Sequence, residues 1–257
     1  MTPIDLDAFD SGGGGEAVVL AHAIGCDARM WQGLVPVLRD RFRVLAFDAR
    51  GHGGSPVTPR PYTLAGLAGD FVRALDRRGI ERAHWVGLSM GGMIGQAFAL
   101  AHPDRLRRLV LANTTSGYGP EGPKMWEARA KAVTEGGMAA IKDMVMARYF
   151  SEEFRAAHPD VVEKTGQRFL EVPVEGYAGC CDAIRDLDFT GQLGNIRAQT
   201  LVIAGEKDAG TPVAMSQVIA ERIPGARLAV IPGAAHLSAV EKKDEFNALV
   251  RQFLAAA

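Results

Sequence analysis

Short continuous apolar runs alternate with longer stretches of helical spacing over the first 115 residues. Residues 63–78 carry apolar side chains at helical spacing and are followed by Gly79, a residue that often ends a helix. Residues 89–101 are apolar on all faces, as expected for a helix packed against a sheet. The apolar runs predict buried strands at residues 17–20, 43–47, 83–88 and 106–112. Such near-continuous apolar strands are typical of a parallel sheet covered on both faces.

The pattern changes between residues 116 and 189, where no apolar run is typical of a buried strand. Helical spacing there predicts helices over residues 128–150 and 161–169. The alternation then resumes, with predicted strands at 200–204 and 227–231 and predicted helices at 213–223 and 241–255. We therefore predict an α/β fold with a mostly parallel central sheet flanked by helices. Its core comprises residues 1–115 and 190–257, and residues 116–189 form an inserted helical lid, or cap.

Composition favours a soluble globular protein that acts on a small molecule. Apolar residues make up 47% and charged residues 23% of the chain, and the formal net charge of -1 comes without a basic run that would favour nucleic acid or an anionic membrane. No stretch approaches the roughly 18 apolar residues that span a bilayer, and residues 1–10 do not resemble a signal peptide. The three cysteines have neither disulfide-framework nor metal-ligand spacing. We expect a cytoplasmic protein without metal or cofactor, and leave monomer or homo-oligomer open.

One serine lies at a junction that is typical of a nucleophile. Residues 87–91 read Gly-Leu-Ser-Met-Gly, which matches G-x-S-x-G, and Ser89 falls where a predicted strand ends and a buried helix begins. The pentapeptide alone is a weak signal, but the strand–turn–helix context makes Ser89 the predicted nucleophile rather than a helix-capping serine.

A serine hydroxyl needs a neighbouring base to take its proton. In a chain with this strand–turn–helix nucleophile the acid and then the base follow the serine, which leaves His102, His158 and His236. His102 ends the buried helix and His158 lies in the polar middle of the predicted lid. His236 follows a late strand in a glycine-containing loop, where its side chain can point along the sheet edge. We predict His236 as the base.

The acid that orients this base is expected just beyond another strand. Asp208 follows the predicted strand at 200–204, and we predict that it fixes the tautomer of the base and stabilises its protonated form. Glu206 is the nearest rival. Asp186 and Asp188 are the other rivals, but a solvated helix face or hinge is favoured for them.

A tetrahedral intermediate also needs two donors for its oxyanion. We predict the backbone N–H of Met90, directly after the nucleophile, and the N–H of Ile24, with Ala23 as the fallback. His22 is expected to fasten this loop. Residues 48–55 form a polar, glycine-rich segment, for which a turn braced by side-chain hydrogen bonds is favoured over substrate contact.

With these residues in place, the chain resembles the α/β-hydrolase superfamily and, within it, the 3-oxoadipate enol-lactonases. The resemblance covers residues 18–253 and is carried by residues 25–31, 48–55, 87–92, 109–114 and 175–186, by Asp208 before Thr211-Pro212, and by His236 before Leu237-Ser238. It implies that the enzyme hydrolyses an unsaturated five-membered lactone with a carboxylate arm to 3-oxoadipate, in aromatic catabolism. The partner would be a small-molecule lactone or ester.

Several alternatives use the same triad. A general carboxylesterase or another lactonase shares the pattern, as does a perhydrolase or haloperoxidase activity. Carbon–carbon bond hydrolases usually place tryptophan after the histidine, where Leu237 stands. Dehalogenases and epoxide hydrolases carry aspartate at the position of Ser89. A catalytically inactive binding protein on the same fold is a hypothesis from a different class, and labelling by a fluorophosphonate distinguishes it from the enzymes.

Substrate contacts are expected from the predicted lid. Trp126, Tyr177 and Arg185 are candidates for the pocket wall, and Arg185 is a candidate for meeting a substrate carboxylate. The alternative for Arg185 is a surface pair with Asp182 or Asp186.

Overall fold

A computed structural model describes residues 3–256; residues 1, 2 and 257, at the outer ends of the two predicted core segments, lie outside the described residues. Within residues 3–256 the strands form one seven-stranded sheet in the order β1-β3-β2-β4-β5-β6-β7. The strands are β1 Ala8–Asp10, β2 Glu16–Ala21, β3 Phe42–Phe47, β4 Ala83–Leu88, β5 Leu106–Ala112, β6 Gln199–Gly205 and β7 Arg227–Ile231. This mostly parallel sheet, flanked by helices, confirms the predicted fold class.

The first strand is the one that the hydrophobic pattern did not predict. β1 is only three residues long, is largely exposed and pairs antiparallel with β3, so it has no buried apolar run that would reveal it. The other neighbouring strands pair in parallel. Their registers place Ala21 beside Gly87, and Ala112 beside both Leu88 and Ile203, so the carboxyl ends of the central strands meet at one edge. The chain's predicted nucleophile, acid and base all follow strands at this edge.

Helices make up the carboxyl-terminal end of the described chain and most of the segment between β5 and β6. Within the described residues the α-helices are α1 Val35–Leu38, α2 Leu64–Arg77, α3 Met90–Ala101, α4 Gly122–Gly136, α5 Lys142–Tyr149, α6 Glu152–Ala157, α7 Pro159–Leu170, α8 Val174–Arg185, α9 Val213–Arg222, α10 Ser238–Glu241 and α11 Lys243–Ala255. Helices α4 to α8 lie within residues 116–189, which we call the helical insert. Its role as a separate lid on the core stays a prediction.

The predicted helix over residues 128–150 is wrong in one respect. Gly137 adopts a left-handed backbone conformation with φ 70°, and it separates α4 from a 3-10 turn at Met138–Ile141 and from α5. Glycine reaches this conformation without the steric cost that a side chain imposes, so the Gly136-Gly137 pair ends the helix although the apolar spacing continues beyond it.

The segment after β3 is braced by side-chain hydrogen bonds, as the sequence favoured. Asp48 accepts hydrogen bonds from the N–H groups of Ala28 at 2.7 Å and Gly54 at 2.8 Å, and Ser55 Oγ donates to the Asp48 carbonyl at 2.6 Å. Arg50 in the same segment is fully buried and pairs with Asp70 on α2 at 2.8 Å and 2.6 Å. The loop is thereby fixed to the sheet and to a helix behind it.

No helix within residues 3–256 is both long and apolar enough to cross a lipid bilayer. In the same range, no three or more histidine, cysteine and acidic side chains are grouped so that they hold a metal ion.

We expect Asp70→Asn to destabilise the fold, because it leaves the buried Arg50 without its paired carboxylate. Removing one partner of a buried ion pair costs about 3–5 kcal/mol. Urea unfolding of the purified variant measures this loss. Asp186→Asn is the matched control, because Asp186 pairs with Arg185 at the surface and exposed pairs contribute about 0–1 kcal/mol. If the free energy of unfolding of Asp70→Asn lies within about 1 kcal/mol of that of wild type, the pair with Arg50 stabilises the fold no more than an exposed pair does, which would contradict this prediction.

Candidate active site

Ser89 lies on a sharp turn between β4 and α3. Its backbone has φ 55° and ψ -115°, a conformation that side-chain-bearing residues rarely adopt. The neighbouring chain holds it there: the Ser89 N–H donates to the Ala112 carbonyl at 2.8 Å, and Thr114 Oγ1 donates to the Ser89 carbonyl at 2.8 Å. The strain is therefore maintained by hydrogen bonds from the end of β5, and it presents the hydroxyl at the sheet edge.

The two glycines of the pentapeptide make this turn possible. A Cβ on Gly87 would collide with the carbonyl of Gly91, and a Cβ on Gly91 would collide with the carbonyl of Ala21 at the end of β2. Their absence of a side chain allows β2, β4 and the first turn of α3 to approach closely. The Gly91 N–H donates to the His22 carbonyl at 3.0 Å, which fixes the loop after β2 against the same turn.

His236 faces the serine. Its Nε2 lies 2.9 Å from Ser89 Oγ, and its ring stacks on Tyr149 of the helical insert at 6.0 Å between centroids and 20° between planes. The loop that carries it is fixed on both sides: the Ala235 N–H donates to Glu241 at 2.9 Å, and the Leu237 N–H donates to the Tyr149 carbonyl at 2.9 Å. The histidine is thus held by the core and by the insert together.

Asp208 lies on the other side of the imidazole. Its Oδ2 is 2.8 Å from His236 Nδ1, and it also accepts hydrogen bonds from Thr211 Oγ1 at 2.7 Å and from Asn113 Nδ2 at 2.9 Å. Burial would raise the pKa of Asp208, but the charge and hydrogen bond of His236, with donors from Thr211 and Asn113, lower it below its ordinary value. An ionised Asp208 assigns the proton to Nδ1 and leaves Nε2 free to accept one from Ser89.

Asn113 is a buried residue of this site that no motif in the sequence predicted. It is fully buried at the end of β5 with φ 45°, and its amide nitrogen donates to Asp208 and, at 3.2 Å, to the Ala235 carbonyl. Ser238 Oγ donates to its Oδ1 at 2.5 Å. Asn113 therefore connects the loops of the acid and the base. The signal was a single asparagine at the end of an apolar strand, since asparagine tolerates left-handed backbone better than most residues.

Two of the backbone donors expected for an oxyanion are not otherwise engaged. The Gly25 N–H donates to His52 Nε2 at 3.0 Å and the Cys26 N–H to the Ala23 carbonyl at 3.1 Å, so neither is available. Within residues 3–256, the N–H groups of Ile24 and Met90 have no hydrogen-bond acceptor. The fallback, Ala23, is likewise without one in this range, so both donors in the loop after β2 stay open.

Two buried histidines fasten that loop. His22 Nε2 accepts a hydrogen bond from the Ala49 N–H at 2.9 Å, and its Nδ1 donates to the Ala23 carbonyl at 2.7 Å. Burial lowers the pKa of His22, and burial together with the neighbouring His22 lowers the pKa of His52 to about 3. Both imidazoles are therefore neutral, and His22 has the fastening role expected for it.

The three predicted substrate contacts have different surroundings. Trp126 and Tyr177 are buried in the insert, where α4 packs along α8, and their pocket role stays a prediction. Arg185 requires a correction: its Nε and Nη2 donate to Asp186 at 2.8 Å and 2.9 Å, and its Nη1 lies 3.6 Å from Asp182. Since two carboxylates already neutralise it at the surface, Arg185 takes the alternative surface pair rather than a place in the pocket wall.

The serine and the histidine are both buried. Ser89 is 4% exposed and His236 5% exposed, and Tyr149 of the insert stacks on the histidine ring. Water is largely excluded from the site as described, and hydrogen bonds there are stronger than they would be in solvent.

Comparisons with known proteins agree with the fold. Residues 16–243 match the family model described as alpha/beta hydrolase fold. The chain is 36% identical to 3-oxoadipate enol-lactonase 2 of Acinetobacter baylyi over 90% of this chain and 85% of that protein, and 32% identical to a putative carbamate hydrolase RutD of Caulobacter over 93% and 90%. The crystal structure of the enol-lactonase from Burkholderia xenovorans LB400 superposes with a TM-score of 0.95 at 36% identity, covering 98% of this chain and 97% of that one.

The buried neutral His52 makes stability sensitive to acid. In the unfolded chain a histidine titrates near about 6.5, whereas in the fold its pKa is about 3. Protons therefore bind preferentially to the unfolded chain. The contribution of neutral His52 to the free energy of unfolding is complete above about pH 6.5 and is lost as the pH falls towards 3. We expect the free energy of unfolding to fall more steeply with acid in wild type than in His52→Gln, by up to about 1.4 kcal/mol per pH unit.

Urea unfolding between pH 7 and pH 4 measures the two slopes. The glutamine retains an acceptor for the Gly25 N–H, and His158→Gln at an exposed position serves as the control for loss of a histidine. Equal slopes for wild type and His52→Gln would show that His52 is not held neutral by the fold.

Proposed function

The chain belongs to the α/β-hydrolase family, and we propose that it is a serine hydrolase that opens a lactone bearing a carboxylate, with 3-oxoadipate enol-lactone as its substrate. The observation that carries this proposal is the continuous hydrogen-bonded series from Ser89 Oγ through His236 to Asp208. The resemblance of the sequence to enol-lactonases and the two enol-lactonase relatives support the lactone.

In the first half of the reaction, His236 Nε2 accepts the hydroxyl proton while Ser89 Oγ attacks the lactone carbonyl carbon. Asp208 stabilises the resulting imidazolium without taking its proton. The tetrahedral intermediate collapses by breaking the bond between the carbonyl carbon and the ring oxygen. The ring oxygen leaves as an enolate, which accepts a proton from His236 and becomes a ketone by tautomerisation. The acyl group remains covalently bound to Ser89.

In the second half, water replaces the enol oxygen. Neutral His236 takes a proton from water as its oxygen attacks the acyl carbon, and the intermediate collapses by returning Ser89 Oγ as the leaving group, which receives that proton. The product is the open-chain dicarboxylate, and one water has been consumed. Because the leaving enolate is much less basic than the alkoxide of an ordinary ester, one histidine suffices as acid and base.

We propose the N–H groups of Met90 and Ile24 as the oxyanion donors in both halves. Met90 is the first residue of α3, so its N–H has no carbonyl within the helix to bond and carries the partial positive charge of a helix start. Hydrogen bonds from the Gly91 N–H to the His22 carbonyl and from the Gly25 N–H to His52 fix the two donor segments relative to each other. A donor of this kind is worth about 3 kcal/mol of the barrier.

We expect wild type to open 3-oxoadipate enol-lactone much faster than it hydrolyses p-nitrophenyl acetate, and Ser89→Ala to lose both activities. Loss of the nucleophile of a triad lowers kcat by about 10⁶-fold in a serine protease, and a fall of at least about 10⁴-fold is expected here. Initial rates from loss of the lactone chromophore and release of p-nitrophenol measure the two reactions.

Ser216→Ala is the matched control, since Ser216 is a buried serine on α9, outside the site, without a hydrogen-bond partner among the described residues. If wild type hydrolyses the ester in a Ser89-dependent way but does not open the lactone, the proposed triad is supported and 3-oxoadipate enol-lactone is rejected as the substrate. Unchanged turnover in Ser89→Ala would reject the triad itself.

A further inference from the structure

A second arginine of the helical insert has the surroundings that Arg185 lacks. Arg129 on α4 is 8% exposed, and its guanidinium carbon lies 5.1 Å from the centroid of the Trp126 ring and 5.6 Å from that of the Tyr177 ring. Its Nε donates to the Tyr177 hydroxyl at 2.7 Å. Two aromatic faces and one hydrogen bond therefore fix the orientation of this cation.

The charge of Arg129 has no carboxylate partner within the described residues. No acidic oxygen in residues 3–256 lies within 4.0 Å of its guanidinium, and its two Nη groups make no hydrogen bond in that range. The buried Arg50, by contrast, is paired with Asp70. A buried cation is costly unless an anion compensates it, and cation–π contacts supply only part of that compensation. An anion from outside the chain would complete the site.

A series of aromatic contacts connects Arg129 with the active site. A Cβ on Gly25, in the loop after β2, would lie 2.7 Å from the Phe169 ring and 3.1 Å from the Tyr149 hydroxyl, so both aromatic side chains lie against this loop. Tyr149 is the residue whose ring stacks on His236. The Tyr177 ring, which Arg129 contacts, packs edge-on against Phe169 at 5.6 Å. The contacts therefore lead from Arg129 through Tyr177 and Phe169 to the loop after β2, next to Ile24.

We propose that Arg129 binds the carboxylate arm of the lactone and thereby determines the specificity of the enzyme for anionic substrates. The inference rests on the proposed function. The planar guanidinium offers two parallel N–H donors, which match the two oxygens of a carboxylate. Trp126 and Tyr177 then act as positioning residues that hold the guanidinium plane, which gives the two aromatic residues predicted from the sequence an indirect role in substrate binding.

Arg148 on α5 is the rival for this role. It is half-buried. Burial raises the pKa of Tyr118, the charges of Arg148 and Arg129 oppose this rise, and the charge of Asp208 adds to it. We favour Arg129 because Arg148 has no aromatic or hydrogen-bonding partner within the described residues to orient it. The experiment below therefore includes both.

The test compares two lactones that share one ring and differ by a carboxylate group. 3-Oxoadipate enol-lactone carries a carboxymethyl arm, and α-angelica lactone has the same unsaturated ring with a methyl group in its place. We expect Arg129→Gln to lower kcat/KM for the charged lactone by about 10- to 100-fold, mainly through KM, because a hydrogen-bonded charge pair is lost. For the neutral lactone we expect a change of less than about 3-fold, since nothing in that ring contacts the arginine.

Arg129→Lys keeps the charge but lacks the two parallel N–H donors of the guanidinium. Its kcat/KM for the charged lactone is expected to lie between those of wild type and Arg129→Gln. Arg185→Gln is the matched control, because it removes an arginine of the same insert that already has carboxylate partners. If kcat/KM of Arg129→Gln falls equally for both lactones, Arg129 has only a structural role and the proposal is overturned. A loss confined to Arg148→Gln would overturn it as well.

A separate readout keeps this test independent of the proposed reaction. Adipate, a stable dicarboxylate, is expected to inhibit hydrolysis of p-nitrophenyl acetate by wild type competitively, whereas dimethyl adipate at the same concentration is not. The inhibition constant for adipate should rise at least about 10-fold in Arg129→Gln. If wild type opens neither lactone, the proposed function fails, and adipate inhibition that depends on Arg129 still supports the carboxylate site. Equal inhibition by adipate in wild type and Arg129→Gln overturns it.

Discussion

The left-handed turn at Ser89 is the constraint on which the rest of the site depends. A serine at φ 55° is strained, and the strain is tolerated because the chain before and after it is clamped to β5 and to the loop after β2. Glycines at 87 and 91 remove the atoms that would prevent this close approach. The hydroxyl is therefore exposed to its base, and the N–H of Met90 points outward from the first turn of a helix.

The partners of the serine are positioned by a second left-handed residue. Asn113, at the end of β5, fastens the loop of Asp208 to the loop of His236, so the acid and the base move as one unit. Glu241 adds a connection to the helical insert, because it accepts hydrogen bonds from the Ala235 N–H and from Ser151. The core carries Ser89, His236 and Asp208, and the insert contributes Tyr149, whose ring stacks on His236.

The sheet and the positions of the three catalytic candidates were accessible from the sequence because each depends on a local pattern. An apolar run followed by a loop places a residue at the edge of the sheet, and the pentapeptide around Ser89 marks its turn. The insert was much less accessible, since its helices have ordinary spacing and Arg129 on α4 meets Tyr177 on α8, which lies 48 residues further along the chain. Arg185 was chosen by placement and lies in a surface pair, whereas Arg129 is distinguished only by what surrounds it in three dimensions.

Covalent labelling by a fluorophosphonate is the most direct test of whether His236 activates Ser89. Peptide mass spectrometry identifies the labelled serine, and the rate of adduct formation is compared between wild type and His236→Gln. We expect a single adduct on the peptide that contains Ser89, formed at least about 1,000-fold more slowly when the base is removed. An adduct on another serine, or an equal rate in His236→Gln, would contradict the claim that His236 activates Ser89. The absence of any adduct in wild type would favour a binding protein on the same fold.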